Sequence, residues 1–246
     1  MAAEWTTLRT RETGTRPRRD IIQNVKNALH LSILASLSTL AVPAAEPSAK
    51  LFENESVNVV RALEKPHAKG KFHEHKTNRV MIYMQPGSQH FEYQDGRKPE
   101  DFNWKAGQVK WSVADGMHSP EVTTNEPFNI VEVEVKKTNG SAKKVTGEKD
   151  VLKVDPKHYK LEFENDQVRV LRVKLGARES IPMHEHVLNR VSVVLTDQNV
   201  RSTDSQGKVE MVQHKPGEAS WGTAKTHKEE NLNDSPLEII IVELKG

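Results

Sequence analysis

Two short runs, His73-Glu74-His75 and His184-Glu185-His186, each set a pair of imidazoles two residues apart. On a strand, positions i and i+2 share a face, so both rings point one way and the glutamate between them points the other. That is half a metal site. A third imidazole, His118 after the first pair and His227 after the second, follows about 45 residues later and could arrive from a neighbouring strand. Three neutral imidazoles would hold one divalent metal (Fe, Zn, Mn, Ni or Cu) and leave coordination positions open for water, dioxygen or a substrate oxygen. A lone His-x-His is as readily a surface or core pair; what lifts it here is recurrence at matching offsets.

The recurrence extends well beyond histidine. Sliding the chain by 111 residues lays Leu51–Val80 over Glu162–Val191 without a gap, matching Phe52 to Phe163, Asn54 to Asn165, Val57 to Val168, Arg61 to Arg172 and Asn78 to Asn189 as well as the histidine pairs. Single deletions then bring Lys105-Ala106-Gly107 over Lys215-Pro216-Gly217, Trp111 over Trp221, His118 over His227 and Glu134 over Glu243. One unit is written twice. Within each unit the apolar pattern has period two, as in Val131-Glu132-Val133-Glu134-Val135 and Val168-Arg169-Val170, which predicts strands with one face to core and one to solvent. Turn signals at short intervals, Asp95-Gly96 and Gln206-Gly207 among them, predict about eight strands per unit. The expected class is all-β, with two tandem double-sheet jelly-roll barrels over 51–137 and 158–246. The Lys-, Gly- and Ser-rich segment 138–157 joins them as a solvated linker.

These residues resemble the cupin superfamily, specifically its two-domain bicupins. The family's first motif places a glycine ahead of His-x-His and a glutamate three or four residues after it; its second carries a Pro-x-Gly turn and the final histidine. Gly70 stands closer to His73 than that pattern asks, while Lys105-Ala106-Gly107 and Lys215-Pro216-Gly217 resemble the turn, and His118 and His227 the last ligand. The likeness spans 51–137 and 161–245. One departure matters: where the family places its glutamate, this chain has Arg79 or Val80 and then Arg190 or Val191. The resemblance therefore implies three-histidine sites lacking the usual glutamate, as in thiol and diketone dioxygenases. An inward arginine would repel a cation or pair with an anionic substrate; strand parity could equally turn the valines inward. Trp111, Trp221, Tyr83 and Gln85 are further candidates for the pocket wall.

Upstream, Lys26 is followed by an apolar core about 15 residues long and a small-residue end at Val42-Pro43-Ala44, the order of a secretory signal peptide cleaved after Ala44 or Ala45. Residues 1–45 are thus expected to be a leader with a signal-peptide helix. Residues 1–24 show no apolar periodicity and suit a mis-assigned start before Val25, or else a loose twin-arginine pattern at Arg18-Arg19. Residues 1–44 hold six cationic side chains against three carboxylates, so of the formal +2 the rest of the chain keeps −1, which removes the case for nucleic-acid binding. The absence of cysteine excludes disulfides, thiolate metal sites and a cysteine nucleophile. The expectation is an exported, periplasmic or secreted metal-binding protein, free of the membrane after signal cleavage, with dioxygenase-like oxidoreductase activity on a small organic molecule. The alternative is a non-catalytic periplasmic module that captures or senses a metal or small ligand. Exposed sheet edges would suit a homodimer.

Overall fold

The computed structural model describes residues 49–136, 145 and 147–246. The expected leader, its signal-peptide helix and most of the first half of the linker lie outside the described residues. The first repeat forms β1 (Ala49–Glu53), β2 (Val57–Glu64), β3 (His73–His75), β4 (Arg79–Tyr83), β5 (Gly87–Tyr93), β6 (Glu100–Trp104), β7 (Val109–Ser112), β8 (Asp115–Val122) and β9 (Phe128–Val135). A single helical turn, α1 (Val151–Val154), precedes the second set. That set is β10 (Tyr159–Glu164), β11 (Val168–Leu175), β12 (Ser180–His186), β13 (Arg190–Val194), β14 (Gln198–Asp204), β15 (Val209–His214), β16 (Ala219–Gly222), β17 (Lys225–Asn231) and β18 (Leu237–Leu244).

Each repeat closes into a jelly roll of two antiparallel sheets. In the first barrel the orders are β1-β2-β9-β4-β7 and β3-β8-β5-β6; in the second, β10-β11-β18-β13-β16 and β12-β17-β14-β15. The two five-stranded sheets share one core, in which Val57, Val59, Val80, Val131 and Val133 meet Val168, Val170, Val191, Ile240 and Val242. Burying each such side chain contributes about 1.5–3 kcal/mol. Each of these sheets is consequently a middle layer: one face is in the inter-barrel core, the other in its own barrel lumen. The alternation Val131-Glu132-Val133-Glu134-Val135 therefore does not end in solvent. Glu132 is buried inside the first barrel, and Arg169 and Glu243 are buried inside the second.

The turns in the aligned Lys-x-Gly positions do the same job twice. Gly107 and Gly217 both take positive φ, +72° and +83°, a conformation open to glycine at little cost. Their amides donate to the Tyr83 and Val194 carbonyls, closing the corners that bring β7 and β16 back beside β4 and β13. The linker behaves differently from a wholly solvated segment. α1 is capped by Asp150, whose side chain accepts from Leu152 N, and Val151 is fully buried among Tyr159, Leu171 and Ile181 of the second barrel. No helix among the described residues is long and apolar enough to cross a membrane.

Candidate metal centres

Register decides which histidines meet. In the first barrel His73 of β3 pairs directly with His118 of β8; in the second His184 of β12 pairs with His227 of β17. The i+2 partners, His75 and His186, lie on the same strand face, so three imidazoles converge in each barrel with their ligand atoms all within 4.8 Å of one another. His73 Nε2 and His75 Nε2 lie 3.1 Å apart.

The outer ring nitrogens are held by other groups. In the first barrel His73 Nδ1 donates to the Lys71 carbonyl (2.9 Å) and His118 Nδ1 to the Gly116 carbonyl (3.1 Å). In the second, His184 Nδ1 donates to the Pro182 carbonyl (2.9 Å), His186 Nδ1 to Glu243 Oε1 (2.8 Å) and His227 Nδ1 to Ser202 Oγ (3.0 Å). These bonds fix the tautomer and aim each Nε2 lone pair at the common point. His227 Nε2 is buried and has no hydrogen-bond partner at all. An orphaned buried acceptor beside two more imidazole nitrogens is the arrangement a divalent metal satisfies, so the residues fit the group.

Electrostatics agree with this. Burial, with the Arg79 charge and the other two rings, lowers His75 to about 3, and burial lowers His118. In the second barrel burial lowers His184 and pushes His186 well below the usual range, while His227 falls to about 2. All these rings are neutral near pH 7, the form that ligates.

The two lumens differ sharply. Beside the first trio lies a cavity of about 300 Å³, walled by Glu64, Arg79, Met81, Gln89, Phe91 and Glu132. Beside the second there is about 40 Å³, bounded by Val173, Leu175, Val200, Leu237 and Ile239 together with Arg190, Ser192, Gln198 and Glu229. In the first barrel Glu132 and Glu134 bring carboxylate oxygens within 4.8 Å of a His75 ring nitrogen. These β9 carboxylates group with His75 alone of the three imidazoles. Arg79 Nε sits 2.9 Å from Glu132 Oε2, while Arg79 Nη1 finds no acceptor. Asn58 donates to Glu134 Oε2 (2.7 Å). In the second barrel the position of Asn58 is Arg169, which holds both Glu243 (2.9 Å) and Asp150 (2.8 Å).

Of the wall candidates, Arg79 and Arg190 face the lumens, and Val80 and Val191 face the inter-barrel core. The tryptophans are a correction. Trp111 pairs with Val80 and Trp221 with Val191, so each shares its partner's face and packs on the inter-barrel core, where Trp111 meets Phe163 at 6.5 Å. Tyr83 points into the first barrel but lies in its closed end, stacked 4.2 Å from Trp104. Gln85 is a corner residue that accepts from Asn129 N (2.7 Å), away from the cavity. Sequence reasoning missed Glu64, Gln89, Glu132, Tyr159 and Glu243. For Glu132 and Glu243 the usable signal was a carboxylate set between apolar neighbours on a long strand, Val131-Glu132-Val133 and Val242-Glu243-Leu244; Glu64, Gln89 and Tyr159 carried none.

No family model and no curated protein matches this sequence. Solved structures do match in fold. AerE from Microcystis aeruginosa aligns at 13% identity and TM-score 0.56 over 82% of this chain and 98% of its own. A variant of oxalate decarboxylase from Bacillus subtilis aligns at 13% and TM-score 0.57 over 80% and 71%. A formate complex of the Lactobacillus farciminis oxalate decarboxylase aligns at 12% and TM-score 0.55 over 81% and 80%. The Bacillus subtilis decarboxylase carries Mn(II) centres. At these identities the likeness is one of fold.

Proposed function

We propose, for a chain with the two-barrel cupin fold, a metal-dependent, dioxygenase-like oxidoreductase that works on a small organic molecule in its first barrel and uses its second as a closed structural centre. One observation carries this: a cavity of about 300 Å³, lined by Glu64, Lys71, Arg79, Gln89 and Glu132, opens beside His73, His75 and His118, against about 40 Å³ beside the other trio. Small-molecule sites are cavities of this order with a few placed polar groups.

The three Nε2 atoms in each barrel would hold the ion; among Fe, Zn, Mn, Ni and Cu, the decarboxylase likeness favours Mn. Bound there, a divalent metal supplies Lewis acidity and, if redox-active, electron exchange with dioxygen. The protein supplies the rest. Lys71 and Gly116 carbonyls orient the rings, Arg79 holds Glu132 beside them, and Phe91 and Met81 exclude water from one wall. The leader supports an exported, periplasmic site of action, and exposed edges at β6 and β15 suit pairing of two copies.

Metal analysis of the purified chain with His73→Ala and His184→Ala, separately and together, tests the site. The expected result is loss of one equivalent in each single variant and of both in the double. Unchanged metal content in the double variant overturns the reading. Substrate-dependent dioxygen uptake should vanish in His73→Ala and survive in His184→Ala; the reverse would move the chemistry to the second barrel. For export, the mature N-terminus should begin near Ala45 or Glu46, and a cytoplasmic chain starting at Met1 counts against it.

A further inference from the structure

The cavity of the first barrel has two electrically opposite ends. Near the imidazole trio stand Arg79, with an Nη1 that has no acceptor, and the place for a dication. Further along the lumen stands Glu64. The register Val60↔Glu132 puts Glu64 four residues past Glu132 on β2, about 13 Å of strand.

Glu64 is unlike the other inward carboxyls. Among the described residues, each fully buried carboxylate has a cation or histidine beside it: Glu132 has Arg79, Asp150 and Glu243 share Arg169, and Asp155 has His158. Glu64 is half-buried and has a neutral amide, Gln89, whose Oε1 is itself occupied by Trp104 Nε1 at 3.0 Å. An ionised carboxylate out of water without a counter-charge is costly, and the group takes up a proton instead. Burial first, and then the Glu132 charge, raises Glu64 to about 7. Space in front of it remains. In the second barrel the aligned residue is Leu175, fully buried in an apolar cluster, and about 40 Å³ remains in that lumen.

We propose that the first barrel takes a short zwitterion, an amino carboxylate whose anionic head lies at the trio and Arg79 and whose ammonium supplies the cation Glu64 lacks. This rests on the reading of the first barrel as the open site. The ligand's ammonium replaces the proton on Glu64, so binding releases a proton near neutral pH and weakens as pH falls below about 7.

The test uses the full, metal-loaded chain and isothermal titration with matched probes: 4-aminobutyrate against butanoate, and 5-aminopentanoate against pentanoate. The expected result is an amino acid at least about tenfold tighter than its alkanoate, a gain of the size a desolvated ion pair gives. In Glu64→Gln and in Glu64→Leu, which copies the second barrel, the preference should fall to about twofold or less, with alkanoate affinity kept. Kept alkanoate binding also shows that the variants fold. No amine preference in the native chain, or an intact one in Glu64→Gln, overturns the proposal. His73→Ala separates the two claims: alkanoate binding indifferent to His73→Ala sinks the metal site in that barrel, whatever Glu64 does.

Discussion

The two barrels began as one sequence and keep the same nine-strand plan, yet beside its trio one lumen leaves about 300 Å³ open and the other about 40 Å³. Swaps along the two walls run in both directions, since Met81, Phe91 and Pro120 of the first barrel align with Ser192, Ser202 and Glu229 of the second. Glu64, Gln89 and Glu132 of the first barrel align with Leu175, Val200 and Ile241 of the second, while Asn58 aligns with Arg169. Three apolar replacements take up room in the second lumen, and one charge replacement ties down the ring of His186. Arg169 Nε lies 2.9 Å from Glu243 Oε2, and Glu243 Oε1 accepts from His186 Nδ1, so the ring of His186 is tied to a buried ion pair. The first trio has no such lock: Asn58 meets Glu134 through a neutral amide. A duplicated fold can thus keep both imidazole trios and divide the labour, with rigidity in one barrel and room in the other.

The sharpest way to break this contrast is to remove the lock. Arg169→Met leaves Asp150 and Glu243 buried without their cation, and breaking one side of such a pair costs about 3–5 kcal/mol. The equivalent Asn58→Ala removes one hydrogen bond and should cost about 1 kcal/mol. Urea unfolding of both variants checks this. Equal losses would mean the second barrel is no more dependent on its charge network than the first.

Next in size is a pH effect confined to the first barrel. Glu64 holds its proton more tightly folded than unfolded, so its contribution favours the folded state below its ordinary value of 4.5 and is lost as pH rises through about 7. Glu132 and Gln89 face it, and Arg79 lies beyond, on Glu132. Relative to the native chain, Glu64→Gln should therefore gain stability between pH 4.5 and 8, by up to about 3 kcal/mol at the alkaline end. Thermal melts of the two proteins across that range read the difference. A flat difference would mean that Glu64 titrates as though exposed.

Much of this architecture could be read from the chain because repetition carries it. The 111-residue shift revealed the duplication, period-two valines the strands, and the paired spacing of His73 with His75 and His184 with His186 the face they share. What could not be read was which side of a strand is wet. Glu132, Arg169 and Glu243 have the look of solvent-facing partners to valine, and become interior only because two sheets pack back to back. The same arrangement carried Trp111 and Trp221 off the cavity wall. Local spacing assigns residues to faces; it takes the assembly of layers to say what each face meets.

The smallest expected effect concerns the second barrel's own metal position. Tyr159 is buried against that trio, and its hydroxyl, kept protonated because burial raises it well above the ordinary tyrosine value, donates to His184 Nε2 at 3.3 Å. That nitrogen is the one a metal would use, so hydroxyl and ion compete for a single lone pair. Tyr159→Phe should destabilise the metal-free chain by about 1 kcal/mol or less, the worth of one long hydrogen bond. It should also enlarge the rise in melting temperature that added metal produces, since the ion no longer displaces a donor. Melts with and without metal separate the two effects. A smaller metal-induced rise in the variant would show instead that the Tyr159 hydroxyl turns towards the bound ion's open side, and the second barrel would then be something other than a closed structural centre.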